Sequence, residues 1–111
     1  MGFKTFIAFI VFISFLYTGQ SQTNTNIIPQ PKVQNLTNGQ FVITNETGIS
    51  YDNTFEVAAN FLKSYIENGS SIVLKENKSI QFIKDETITN PEAYHLNIKP
   101  KSIQIKASSE K

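Results

Sequence analysis

Apolar and polar residues alternate strictly in two short runs near the C-terminal end of the chain, on either side of residues 99–102. Because successive side chains of a strand point to opposite faces, each run predicts a strand with one apolar face. Residues 99–102 contain a proline and predict the turn of an antiparallel hairpin. One register then places every apolar side chain of the hairpin on the same face. Its expected apolar pairs are Tyr94–Ala107, Leu96–Ile105 and Ile98–Ile103, and its polar pairs are His95–Lys106 and Asn97–Gln104.

Residues 53–69 predict a helix. Apolar residues recur there at helical spacing and form one stripe. The stripe consists of Phe55, Ala58, Ala59, Leu62, Tyr65 and Ile66, with Phe61 at its border. Asn53 stands three residues before Glu56, the spacing of a capping box in which each side chain binds a free backbone amide. Gly69 predicts the end of the helix, since glycine readily adopts a left-handed conformation.

Shorter segments complete the expected secondary structure. Residues 40–44, 49–51, 71–74 and 79–84 predict strands, residues 45–48 a turn, and residues 85–91 a loop. Strands before and after one main helix predict an α+β fold. In it, one small, mostly antiparallel sheet carries the helix on its apolar face.

Two segments resemble a known family in their order and spacing. Residues 92–107 read Glu-Ala-Tyr-x-Leu-x-Ile-x-Pro-x-x-Ile-x-Ile-x-Ala, which resembles the close of the small N-terminal domain of bacterial-type β-N-acetylhexosaminidases, glycoside hydrolase family 20. Residues 27–31, Ile-Ile-Pro-Gln-Pro, resemble the start of the family's mature chains. The resemblance departs at Ser102, where glycine is expected in the turn. A left-handed conformation there would cost ~1 kcal/mol.

Composition narrows the possible partners. The chain has 111 residues, enough for one domain at most, and its formal charge of +1 is spread without a basic run. Nucleic acid is therefore not an expected partner. With no cysteine, the chain has no disulfide, thiolate nucleophile or cysteine-ligated zinc site.

Residues 1–21 have the pattern of a signal peptide. Lys4 precedes an apolar run over residues 6–17, which is shorter than the ~20 apolar residues of a membrane span. Gly19 and Ser21 provide the small residues that a signal peptidase accepts, so we expect cleavage after Ser21. The domain of residues 22–111 is then exported to the periplasm or the extracellular space. The alternative is an uncleaved leader that tethers the chain to the membrane.

Candidate chemistry is sparse. His95 is the sole histidine and stands beside Lys106, with no orienting carboxylate or companion ligand nearby in sequence. Asp85 and Glu86 are adjacent in a loop, where neighbouring side chains point apart instead of flanking a glycosidic bond. We therefore predict no catalytic, cofactor-binding or metal-binding residue, and no cofactor.

The family resemblance implies that the chemistry lies elsewhere. Members hydrolyse terminal N-acetylhexosamine residues with the substrate's own acetamido group as nucleophile, assisted by a Glu and an Asp on a TIM barrel. The resemblance implies a truncated, non-catalytic domain that is inactive alone and whose partner is that barrel, normally in the same polypeptide. The alternative is a small secreted module without enzymatic activity, which binds a glycan or a protein through its polar sheet face.

Overall fold

The structure, a computed structural model, describes Ile27 and residues 30–110. The chain divides into two compact units, Met1–Asn35 and Leu36–Lys111. The described residues of the first unit form neither helix nor strand. The predicted signal peptide and its cleavage point lie outside the described residues. Within residues 30–110 and Ile27, no helix is long and apolar enough to cross a membrane.

The second unit consists of a four-stranded sheet and one α-helix. Along the chain, its elements are β1 (Gly48–Tyr51), a 3₁₀ turn (Asn53–Phe55), α1 (Glu56–Gly69), β2 (Lys75–Lys84), β3 (Tyr94–Lys99) and β4 (Ser102–Ala107). This arrangement confirms the predicted α+β fold with one main helix.

The sheet is mixed, and this corrects the expectation of a mostly antiparallel one. Its strand order is β1-β2-β4-β3, with β1–β2 and β2–β4 parallel and only β3–β4 antiparallel. The cause is connectivity: α1 carries the chain back along the sheet between β1 and β2, and strands joined by such a crossover run parallel. The C-terminal strand β4 then inserts beside β2.

The predicted hairpin is confirmed pair by pair. Tyr94 faces Ala107, Leu96 faces Ile105, and every other predicted pair is present as well. The strands extend to a Lys99–Ser102 pair, so only residues 100 and 101 form the turn. None of the described non-glycine residues has a positive φ. Ser102 is therefore not left-handed, and the anticipated strain at this position is absent.

Two predicted strands are wrong. Residues 40–44 and 71–74 pair with no strand, although Phe41 and Leu74 pack in or against the core. Residues 75–84 form one strand with an irregularity, because the partner of Gly48 is Lys75 whereas that of Ile49 is Ile80. Residues 76–79 therefore have no partner residue in β1. This irregularity keeps the apolar part of β2 in register with β1.

The core lies between α1 and the sheet. Its buried residues are Ile49, Ala59, Leu74 and Ile80, and its half-buried neighbours are Phe41, Leu62, Ile66, Ile72, Phe82, Ile103 and Ile105. The inner stripe of the helix consists of residues at helical spacing that face the core, namely Phe55, Ala59, Leu62 and Ile66. Tyr65, predicted in that stripe, is 72% exposed. It lies outside the inner stripe.

Both predicted ends of the helix are corrected. In place of the predicted Asn53 cap, Asp52 caps the 3₁₀ turn that precedes α1, and its Oδ1 accepts a hydrogen bond of 2.9 Å from Thr54 N. Gly69 is the last helical residue and has no positive φ. Instead of a left-handed glycine, Ser70 ends the helix, and its Oγ donates to Ile66 O at 2.7 Å.

The Asp52 cap predicts that the stability of the domain depends on pH. Hydrogen bonds from the backbone and side chain of Thr54, with a smaller contribution from Lys84, hold the pKa of Asp52 below its ordinary value of 3.8. The folded state therefore favours the carboxylate, which stabilises the fold above pH 3.8 and ceases to do so as pH falls through the lower folded pKa. Asp52→Asn keeps an acceptor that does not titrate. As the pH falls from about 5 to about 2, we expect the melting temperature of Asp52→Asn to rise relative to that of the wild type.

The control for this experiment is Glu76→Gln, at an exposed acid in the irregular part of β2. Thermal unfolding followed by circular dichroism gives the melting temperatures across the pH series. A gap between wild type and Asp52→Asn that stays constant with pH would contradict the role of the Asp52 carboxylate.

Candidate functional site

The two carboxylates singled out in the sequence do not form a shared site. Asp85 Oδ1 accepts hydrogen bonds from Thr87 N at 3.0 Å and Thr87 Oγ1 at 2.5 Å, which close a local turn. These bonds lower the pKa of Asp85 below 3.8, with smaller electrostatic contributions from Lys106 and His95. Glu86 instead reaches Lys84 Nζ at 3.2 Å on the surface. A general acid needs a raised pKa, so the environment of Asp85 is the opposite of what that role requires.

His95 lies on β3 opposite Lys106, as predicted, and is exposed. The structure adds a proximity that sequence spacing could not give, because the loop after β2 brings Asp85 near this pair. Among the described residues, no group of three or more His, Cys, Asp or Glu side chains could hold a metal ion.

The polar face of the sheet carries a row of hydrogen-bonding side chains. Ser50, Gln81, Gln104 and Asn97 occupy matching positions on β1, β2, β4 and β3. The next row contains Ile83, Lys106 and His95. Neither row includes a Phe, Tyr or Trp side chain on which a sugar could stack, and His95 supplies only a small imidazole ring, so this face offers little to a glycan beyond scattered hydrogen bonds.

The outer side of α1 presents an apolar surface that the domain itself does not cover. Val57, Phe61 and Tyr65 are 73%, 74% and 72% exposed. Their spacing of four residues places them on successive turns of one helix side, so they form a continuous band. We call these three residues the helix stripe. Near its C-terminal end, Phe61 and Tyr65 line an open groove together with Ser64, Asn68 and Gly69.

A second uncovered surface lies on β3. Tyr94, Leu96 and Ile98, here called the β3 strip, are 55%, 50% and 49% exposed. Their partners on β4 are better covered, since Ile103 and Ile105 pack against the core and Ala107 is buried. The apolar face of the predicted hairpin is thus covered on β4 only. The reason is the position of α1, which packs on β1 at the opposite edge of the sheet and leaves β3 bare.

Comparison with known proteins gives these surfaces a context. The family model for glycosyl hydrolase family 20, domain 2, matches residues 24–111. The chain belongs to this family. The resemblance seen in the residues of the hairpin and the Ile-Pro segment is thereby confirmed.

A solved structure shares the fold of this family-20 domain. It is the crystal structure of an inactive mutant of an exo-β-N-acetylglucosaminidase of family 20 from Vibrio harveyi, matched with a TM-score of 0.64 and 21% sequence identity. The match covers 73% of the present chain and 13% of the Vibrio harveyi chain. The family-20 domain thus corresponds to a small part of that protein. No curated protein sequence matches.

The apolar stripe predicted from the sequence has Phe61 at its border and lacks Val57. The signal was present as an i, i+4, i+8 series of large apolar residues. The helix has two apolar sides, and the one stripe predicted from the sequence assigns Tyr65 to the wrong side.

Proposed function

We propose that this chain is a non-catalytic domain of an exported, hexosaminidase-like enzyme of family 20, and that it packs against the catalytic TIM barrel of that enzyme. The observation that carries the proposal is the helix stripe. Soluble monomers rarely leave a contiguous apolar band of large side chains exposed unless another surface covers it. Burying a side chain of this size contributes about 1.5–3 kcal/mol, so three of them favour docking strongly.

The composition of the stripe favours a protein surface as its partner. Interfaces are enriched in aromatic residues at their centre, and the stripe supplies Phe61 and Tyr65 at adjacent turns. The position of the β3 strip adds to this, because it belongs to the same side of the sheet as α1. A catalytic domain on this side would cover both apolar surfaces and leave the polar face in water.

The family supports the catalytic barrel as the partner. A model described as domain 2 implies other domains in the complete enzyme, and the matched Vibrio harveyi chain is much longer than this domain. Hydrolysis of N-acetylhexosaminides belongs in this proposal to the barrel. The carboxylates of Asp52 and Asp85 support the division, since each serves in a local cap or turn.

The enzymatic part of the proposal has a direct test. Purified residues 22–111, incubated with a chromogenic N-acetylglucosaminide, should show no turnover. Sustained hydrolysis that a point substitution abolishes would overturn the assignment as non-catalytic. Retention on immobilised chitin, by contrast, would favour a glycan-binding module. Export is tested separately by the N-terminal residue of the protein recovered outside the cytoplasm, which should be Gln22.

The docking role of the helix stripe makes a further prediction. Phe61→Ser combined with Tyr65→Ser should leave the domain's own stability within about 0.5 kcal/mol of wild type, because both side chains are already in water. The same pair should weaken docking when residues 22–111 replace the matching segment of the Vibrio harveyi enzyme. Differential scanning calorimetry of the two fusions should show a lower melting temperature for the double variant.

A matched control is Val73→Ser, which removes an apolar side chain that is 71% exposed but lies outside α1. The Val73→Ser fusion should have the same melting temperature as the unaltered fusion. If the double variant and this control melt together, the helix stripe does not hold the barrel.

A further inference from the structure

The C-terminal end of the described chain is held against the start of α1. Ala58 N donates a hydrogen bond of 2.9 Å to Glu110 Oε1, a contact between residues 52 positions apart in sequence. Ala58 is the third residue of α1, and its amide is one that an N-cap side chain normally accepts from. Phe55 occupies the N-cap and makes no side-chain capping bond. Glu110 therefore supplies the acceptor that the helix's own N-cap lacks.

The charge of Glu110 suits this position. The first turn of a helix carries a partial positive charge from its aligned peptide dipoles, and a carboxylate there is stabilising. A hydrogen bond to a charged group contributes more than a neutral one. Glu110 thus does more than fill a gap, because it links two segments through a charge-assisted bond.

The residues before Glu110 are held as well. Asp85 N donates to Ala107 O at 2.9 Å, and Ser109 Oγ donates to Pro91 O at 2.8 Å. The segment that leaves β4 is thus attached at two points to the loop that joins β2 and β3, and then to α1. Three attachments within residues 107–110 define one path across the domain surface.

We propose that Glu110 is a positioning residue: it clasps the segment leaving β4 to the N-terminal end of α1, and so sets the place from which the following chain approaches the helix stripe. Ala58 directly follows Val57, the first residue of that stripe. The clasp therefore brings the exit of the domain to one end of the apolar band. This inference rests on the proposed function for the identity of the docking domain, whereas the clasp itself belongs to residues 22–111.

The experiment measures residues 22–111 by nuclear magnetic resonance. Glu110→Ala should raise the solvent-exchange rate of the Ala58 amide roughly tenfold, as expected for the loss of a charge-assisted hydrogen bond. It should also lower the heteronuclear Overhauser effect of residues 108–110, which report the order of the exit segment. Glu110→Gln retains an acceptor oxygen and should restore part of both signals.

Two comparisons make the outcome decisive. Glu92→Ala, at another exposed acid of the C-terminal region, should leave both readouts unchanged. Exchange at the Phe82 amide in β2 reports general destabilisation and should also stay unchanged. An unaltered Ala58 exchange rate in Glu110→Ala would overturn the clasp. A faster rate with full order at residues 108–110 would reduce Glu110 to a helix cap and overturn its positioning role.

These outcomes are independent of the docking test, because no barrel is present in the sample. Failure of the fusion experiment with an intact clasp would remove the proposed partner and leave the path of the exit segment standing. Failure of the clasp with intact docking would show that the stripe alone positions the barrel.

Discussion

Replacing Gly48 with alanine is expected to destabilise the domain by about 2–4 kcal/mol, a large fraction of the stability of a small domain. A Cβ at this position would lie 2.6 Å from the carbonyl oxygen of Lys75 and 2.5 Å from Asn77 Oδ1. Real Cβ atoms do not approach oxygen so closely, so the backbone must move. The movement falls where β1 joins β2, since Gly48 pairs with Lys75 and its N–H donates to Ser79 Oγ at 3.2 Å.

Asn77 cannot swing aside without loss. Its side-chain amide donates to Glu46 O at 3.0 Å, and its Oδ1 accepts from Ser79 N at 2.9 Å. A rotamer change of Asn77 that relieves the contact would break both hydrogen bonds. The pairing of β1 with β2 would then be disturbed where β1 begins. The larger part of the cost therefore comes from polar groups that lose partners in addition to the steric overlap.

Urea unfolding of residues 22–111, followed by circular dichroism, measures the loss. Gly69→Ala provides the matched control, because nothing beyond the neighbouring residues and backbone of α1 itself lies within 4 Å of a Cβ built there. Gly69 is the last residue of α1 and alanine favours the helix, so this variant should be neutral or up to about 1 kcal/mol more stable. Equal unfolding midpoints for the two alanine variants would show that the Gly48 environment is not as close as described.

Truncating Ile80 to alanine should cost about 2–5 kcal/mol. Ile80 is 2% exposed and lies in the middle of the sheet, where it pairs with Ile49 on β1 and Ile103 on β4. It also belongs to the cluster that meets Ala59 on α1. The cavity left by its side chain would border three strands and the helix, and none of them can close it without disturbing another.

The comparison for this variant is Ile98→Ala, which removes the same atoms from the β3 strip. Ile98 is 49% exposed, so its truncation should cost under about 1.5 kcal/mol. Chemical unfolding under identical conditions gives the difference between the two. If Ile98→Ala proved as costly as Ile80→Ala, the β3 strip would have to be covered in the isolated domain, against the exposure described for it.

The sequence was most informative where the pattern was local. The hairpin register follows from strict alternation and a short turn, both of which act between neighbours in sequence. The course of α1 was also predictable, since its inner stripe repeats over several turns. Parallel pairing was not, because nothing in the alternation of β2 distinguishes a parallel neighbour from an antiparallel one. It depends on where α1 returns the chain.

Caps and surfaces were harder for a related reason. Asp52 and Asn53 are adjacent and both are good capping residues, so propensity alone could not choose between them. The cap supplied by Glu110 comes from across the domain, and no sequence window contains both partners. For the helix stripe, the sequence shows that Val57, Phe61 and Tyr65 are apolar. Only the packed structure shows that the sheet does not cover them.

The place of β4 in the sheet has a consequence for synthesis. It is the last strand of the domain, yet it lies between β2 and β3. While the ribosome is still making residues 94–101, β3 has no strand to pair with and β2 has an open edge. The sheet therefore closes only after Ala107 has emerged, because a nascent chain paused earlier contains the β1–β2 pair but leaves β3 without its partner. Such an order delays completion of the sheet until nearly the whole domain has been translated.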